Sequence, residues 1–339
     1  MATQTNTRSI LILMFSILLF SCEKKPDWKI DSEVMASLGE KHKMGFGMAL
    51  EDQSSMFWDD TTNLNACLGA ADMNIMLFIF GYSAREETIP SAKKYLGHAQ
   101  GLDSANAKVV SLSGKLNFLD WNWEAARQDF LQAMEMDPDN LDNRHWYSLL
   151  LCTQKRFDEA LEQHAIISEK DPDGQYLIGK SSMLYFARKN TEMRDMLIEV
   201  VNADPEVPWG YDWLGMAYIE LKDYENSINT YFKAFELADG TVEVGAGLGH
   251  ALGLGGETEL AKEMADYYEE RAKQDYVPQV QRAFIHIGIG EHEKALDLLE
   301  EAYREKSWFL AFMQAEPWLD PLRGEERFNE IMKNMNFPG

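Results

Sequence analysis

Little in this sequence invites a chemical reading. It holds only three cysteines, too few for a disulfide scaffold, and no two of them have the spacing of a zinc finger. The seven histidines, at 42, 98, 145, 164, 250, 286 and 292, form no His-Glu-x-x-His pair, so no metal centre is expected. Basic residues are scarce: 32 Lys and Arg against 56 Asp and Glu leave a net charge of −24. Phosphate neutralisation needs the opposite sign, so no nucleic-acid partner is expected. Long apolar runs are missing too. The run Ile10 to Phe20 has eleven residues, short of the ~20 that a helix needs to cross a bilayer. The glycine-rich stretch from Gly245 to Gly256 fails as a phosphate loop, because Gly247-Leu248-Gly249 is followed by His250-Ala251-Leu252 and no Lys-Ser or Lys-Thr pair follows at the right distance. Cys67, Cys152, Ser148 and Ser182 lack the setting of a nucleophile. No cofactor and no enzymatic activity are expected.

What is present begins with a leader. Arg8 supplies a positive start, Ile10 to Phe20 an apolar core, and Leu19-Phe20-Ser21-Cys22 follows. This tetrapeptide resembles a bacterial lipobox. The resemblance implies removal of residues 1–21 and lipidation of Cys22, which would anchor the chain to a membrane of the bacterial cell envelope, periplasmic or surface-exposed. Residues 22–58 read as a tether with one degenerate helix, its apolar spacing broken by Gly45 and Gly47.

The strongest signal is periodic. Small residues at Gly114, Ser148, Ser182, Gly215, Gly249 and Ala283 recur at spacings of 34, 34, 33, 34 and 34, and a second series, Ala126, Ala160, Met193, Ser227, Ala261 and Ala295, runs in step behind it. This period with these small residues resembles the tetratricopeptide repeat, which implies an all-α, right-handed solenoid of about seven helix-turn-helix repeats. Six regular repeats fall in 107–309. Residues 59–106 make a variant first repeat, with Pro90 placed near the start of its second helix, and 310–339 form a C-terminal cap around Phe328, Ile331, Met332 and Met335. The missing residue is placed in the inter-helix turn near Arg188 to Thr191. Cys67 and Cys152 lie in helices two to three repeats apart, so both are expected as buried free thiols. Three stretches, Leu119 to Ala126, Asn143 to Tyr147 and Trp318 to Phe328, resemble the C-terminal repeat region of bacterial winged-helix, cyclase or kinase-linked signalling proteins. Here a leader and a tether replace the effector domain, so the resemblance implies a sensor or scaffold part without that output.

The remaining functional surface is the concave face. In the family the first helix of each repeat lines it, which implies a groove containing Tyr176, Met183, Phe186, Trp209, Asp212, Met216, Ile219 and His250. The Lys and Asn of the family's carboxylate clamp are absent. The expectation is a non-catalytic adaptor holding a protein or peptide segment with aliphatic side chains and a basic residue. The alternative is an envelope sensor binding a small molecule or glycan in a closed pocket among Tyr176, Phe186 and Trp209. Trp121 and Trp123 sit at an inter-helix turn and read as structural.

Overall fold

The computed structural model describes residues 28–29, 40–171, 174, 176–238 and 241–338. The leader, the lipobox and Cys22 lie outside the described residues. The chain divides into two units, Met1–Asp31 and Ser32–Gly339; only Trp28 and Lys29 of the first are described, and the account below concerns the second.

All regular structure among the described residues is helical. A leading helix α1 (Glu40–Asp59) is followed by helix pairs: α2 (Leu64–Ile79) with α3 (Arg85–Leu102), α4 (Ala107–Leu119) with α5 (Trp123–Met136), and α6 (Leu141–Thr153) with α7 (Phe157–Lys170). Next come α8 (Leu177–Phe186) with α9 (Asn190–Ala203), α10 (Pro208–Glu220) with α11 (Tyr224–Leu237), α12 (Val242–Leu254) with α13 (Thr258–Arg271), and α14 (Gln279–Ile289) with α15 (His292–Arg304). Two 3-10 turns, Trp308–Phe312 and Pro317–Leu322, precede the last helix α16 (Glu326–Asn334). Each second helix packs against the first helix of the next repeat, and first helices also meet one another, α12 and α14 most extensively, as second helices do not; this places the first helices on the inner radius.

The repeat follows from its punctuation. Four of the seven first helices open on side-chain caps: Asn63, Asn106 and Asn140 accept from Ala66, Lys108 and Asp142 amides, and Thr241 does the same for Val244. Each of the six regular repeats closes its first helix with one left-handed residue: Trp121, Lys155, Arg188, Lys222, Gly256 and Gly290. The amide after each bonds five residues back, as in Asn122 to the Asn117 carbonyl at 2.8 Å and Glu257 to Leu252 at 2.8 Å, the bond of a Schellman ending.

These turns correct the register. Their spacing is 34, 33, 34, 34 and 34, so the missing residue lies between Lys155 and Arg188, while the turn at 187–189 has full length. The deletion therefore falls before or within α8 rather than near Arg188 to Thr191. Ser181, which is 0% exposed, is the equivalent of Gly114 and Ser148, and Ser182 is one position late.

The front of the array also differs from the pattern read in the sequence. The helix expected to break at Gly45 and Gly47 runs unbroken for 20 residues. Its packing compensates, with Phe57 fully buried and its ring edge-on to Tyr95 at 5.2 Å. In α3, Pro90 lies inside the helix, which begins at Arg85; the Glu86 carbonyl loses its in-helix donor as the consequence. Cys67 and Cys152 are buried free thiols.

The last repeats return to the first. Tyr303 stacks on Trp121 at 5.6 Å, Lys306 Nζ lies 5.5 Å from the same ring, and Arg85 donates to the carbonyls of both Leu119 and Lys306. Phe337 stacks on Trp123, whose indole donates to the Met335 carbonyl. The tail read as a cap thus has two parts. Helix α16 packs on α15, with Arg327 reaching Glu293, Asp297 and Glu300, whereas residues 308–322 turn inward.

The glycine-rich helix α12 serves packing. A Cβ on Gly253 would stand 2.4 Å from the Gly288 carbonyl carbon, a backbone contact that cannot yield. Gly253→Ala is expected to destabilise the protein by about 1–3 kcal/mol. Gly97→Ala, in a helix with nothing within 4 Å of the added carbon, should stabilise by about 0.4–1 kcal/mol. Urea midpoints of the two variants check this, and equal midpoints would sink the packing account.

Candidate functional site

Counting back from each left-handed residue aligns the inner face. Six positions before it stand Lys115, Leu149, Ser182, Met216 and His250, and three before it Phe118, Cys152, Tyr185, Ile219 and Gly253. The groove residues expected in the third repeat are therefore one position late. Met183 is fully buried with its sulfur 3.3 Å from Cys152 Sγ. Tyr176 is part-buried beside His145, at 5.9 Å between rings. Tyr185, missed in the sequence, is the inner-face residue there; the 34-residue count taken from the turns instead of the serines would have found it.

The inner face is already occupied, by the chain itself. Phe312 lies parallel to Phe186 at 5.0 Å and also meets Phe118 at 6.0 Å. Trp318 stacks on His250 at 4.4 Å and stands edge-on to Phe284 at 5.0 Å. Gln314 Nε2 donates to the Thr153 carbonyl, and Arg188 Nη2 pairs with Asp320 at 2.8 Å. Leu310, Met313 and Leu322 in this segment are fully buried. Of the eight expected groove residues, Phe186 and His250 lie against the segment and Met183 and Ile219 are buried. Trp209, Asp212, Met216 and Tyr176 remain part-exposed. Trp209 faces Phe80 at 6.4 Å, so Tyr176, Phe186 and Trp209 each meet a different ring partner and make no common pocket. A cleft of about 340 Å³ lies elsewhere, between α1, α2 and α4, lined by Gln53, Asn65, Asp72, Met73 and Lys108.

Charge divides the inner face. Near the front, Lys115 (side chain 2% exposed) bridges Asp72 at 3.1 Å and Asp142 at 2.8 Å, with its ammonium 5.3 Å from the Trp146 ring. That half is compensated. Further along stand four carboxylates, Asp212, Glu220, Glu243 and Glu316, and burial pushes them up to about 7, 7, 8 and 7. Glu316 accepts from the Tyr185 hydroxyl and from the Trp318 amide. Glu220 has Arg188 at 3.6 Å.

The histidines titrate the other way. Burial holds His145, His164 and His250 down to about 4, 3 and 4. His145 Nδ1 and His164 Nε2 are 3.2 Å apart, and His250 Nδ1 faces the Phe284 carbonyl at 2.7 Å, so it carries the proton and donates. Among the described residues no three His, Cys, Asp or Glu side chains gather as a metal site. The arrangement offers aromatic stacking and acidic acceptors.

A family model described as "Tetratricopeptide repeat" matches residues 210–240, the repeat built by α10 and α11. Among solved structures, a chain of the APC/C hetero-tetramer Cut9-Hcn1 is 15% identical, with a TM-score of 0.56 over 86% of this chain and 52% of that one. This chain thus spans about half the length of that neighbour. A tetratricopeptide repeat protein from Parabacteroides merdae ATCC 43184 is 13% identical, with a TM-score of 0.53 over 76% of this chain and 99% of that one. At such identities the likeness is one of fold.

The titrations fix a pH dependence. The four carboxyls keep their protons in the folded state to about 7 or 8, whereas the unfolded chain releases them near 4. Their contribution is full below pH ~4 and is lost as pH rises through 7 to 8. The depressed histidines act oppositely, below pH ~6.5 only. The urea midpoint is therefore expected to fall between pH ~6.5 and ~8.5, and Glu316→Gln should flatten that fall. A midpoint that rises over this range would contradict the burial of these groups.

Proposed function

From a tetratricopeptide-repeat solenoid whose inner face grips a segment of 3-10 turns, we infer a non-catalytic scaffold that binds another protein through that face. The observation that carries this reading is residues 308–322 themselves: two short 3-10 turns held by ring stacking, a side chain to backbone bond, the Tyr185–Glu316 hydrogen bond and an ion pair to Arg188. A surface that holds such a segment in cis has the chemistry to hold one in trans. The part-exposed Trp209, Asp212 and Met216 extend the grip beyond it. The fold supports an interaction role, since stacked repeats offer long continuous surfaces and place no reactive group by themselves.

We further propose that the scaffold works at the bacterial envelope, held by a lipid on Cys22. The apolar run and the Leu-Phe-Ser-Cys tetrapeptide support this. The acidic balance supports a protein partner over nucleic acid.

Two experiments test these readings. In the full chain, Phe312→Ala with Trp318→Ala removes the rings that anchor the segment. A labelled peptide of residues 308–322 should then bind this variant and not the parent, with helicity followed by circular dichroism. Binding to neither, with helicity retained, would overturn the groove reading. For the anchor, cells fed an alkyne fatty acid should label the parent chain and leave Cys22→Ser unlabelled; label on both would remove Cys22 as the site.

A further inference from the structure

Two of the four inner carboxylates lack any compensating group. Glu220 has Arg188 and Glu316 has the Tyr185 hydroxyl. Asp212 stands one turn before Gly215 on α10 and Glu243 one turn before Gly247 on α12, two glycines that flank the same tyrosine ring; Asp212 raises the cost of ionising Glu243, and among the described residues neither has a hydrogen bond or an ion pair. Beside them is a third polar group without a partner. Tyr231 is fully buried, and its ring passes between Gly215 and Gly247, where an added Cβ would stand 2.6 Å and 2.4 Å from it. Its hydroxyl has no hydrogen-bond partner, and Asp212 is the strongest of the carboxylates acting on it. An unsatisfied buried hydroxyl is costly, so one beside two part-exposed carboxylates without partners marks a place built for something more.

The walls are aromatic. Trp209 sits one helical turn before Asp212 on α10, and Phe80 crosses to it at 6.4 Å from the α2–α3 connection. Tyr82 stacks on Phe80 at 6.3 Å and lies within the field of Glu243. A divalent metal would ask for about six oxygen ligands, and no cluster of three metal-ligating side chains is present among the described residues. Two carboxylates and ring faces suit an organic cation instead, which gains from both charge and π contact.

We propose that Asp212 and Glu243, walled by Trp209, Phe80 and Tyr82, bind an alkylammonium group, carried by a lysine side chain of a protein or by a free amine. The proposal rests on the inner face being the binding surface. Met216, one turn beyond Asp212 and part-exposed, continues as an apolar floor for the alkyl chain. Burial has raised both carboxyls, so a bound cation drives protons off them at neutral pH.

Calorimetry of the full chain at pH ~7, in two buffers of different ionisation enthalpy, tests this with cadaverine and with Nα-acetyl-lysine methylamide. At least one should bind saturably with release of protons, and Asp212→Asn and Glu243→Gln should each weaken it at least about tenfold. Both side chains are part-exposed and make no hydrogen bond or ion pair, so neither variant removes a contact that the fold uses. Binding of the lysine analogue alone assigns a protein lysine; binding of cadaverine alone assigns a free amine. Absence of saturation by either at millimolar concentration, or unchanged affinity in both variants, overturns the proposal. Its failure is separable from that of the groove reading, because residues 308–322 contain no basic side chain.

Discussion

Phe312 is the point on which the inner architecture turns. Helices stacked around a curved axis crowd their first members at the inner radius, and the side chains there face an interior that must be filled or left wet. Phe312 answers from the chain's own end, meeting Phe186 of α8, Phe118 of α4 and Trp308 of its own turn. Burying such rings stabilises by about 1.5–3 kcal/mol each. Trp318 repeats the device on α12 and α14. The curvature and the path of the tail therefore determine each other: a flatter array would leave the rings unpacked.

Electrostatics follows from the same geometry. Where the tail is absent, Lys115 closes the interior with two carboxylates of neighbouring repeats. Where the tail runs, its Glu316 and Asp320 add negative charge to a wall that already carries Glu220; Arg323 of the tail pairs with Asp320, and Arg188 of the wall reaches both Asp320 and Glu220. Arg188 also occupies the left-handed turn position that closes α8. A residue that ends a helix thus also grips the segment inside the array.

Much of the fold was legible because it is local and repeated. Each turn needs the same backbone ending, and each helix pair needs small residues at the same two depths, so the period survives weak identity. The register of the third repeat was not legible from Ser181-Ser182, where two adjacent serines offer equal candidates for one packing position; only the turn at Arg188 separates them. One slipped residue then displaced Tyr185, Met183 and Phe186 together. The path of residues 308–322 was illegible for another reason. Rings and prolines without a helical period carry no local signal of where they go, since their partners lie in other repeats, as Tyr185 does from Glu316 at 131 residues. Glu243 falls on the concave face by the repeat count, but its facing of Asp212 across the groove is visible only in three dimensions.

The seam between Trp121, Tyr303 and Lys306 has a consequence for how such a protein can change over time. An open stack of repeats accepts one more or one fewer, because each unit meets only its neighbours. Here the far end must arrive at Trp121 and Trp123 with Tyr303 and Phe337 in place, and the tail must span the interior at its present length. Adding a unit would carry both ends past their partners. The number of repeats has become a fitted dimension of the molecule, and duplication, the ordinary way in which such arrays lengthen, is closed to it.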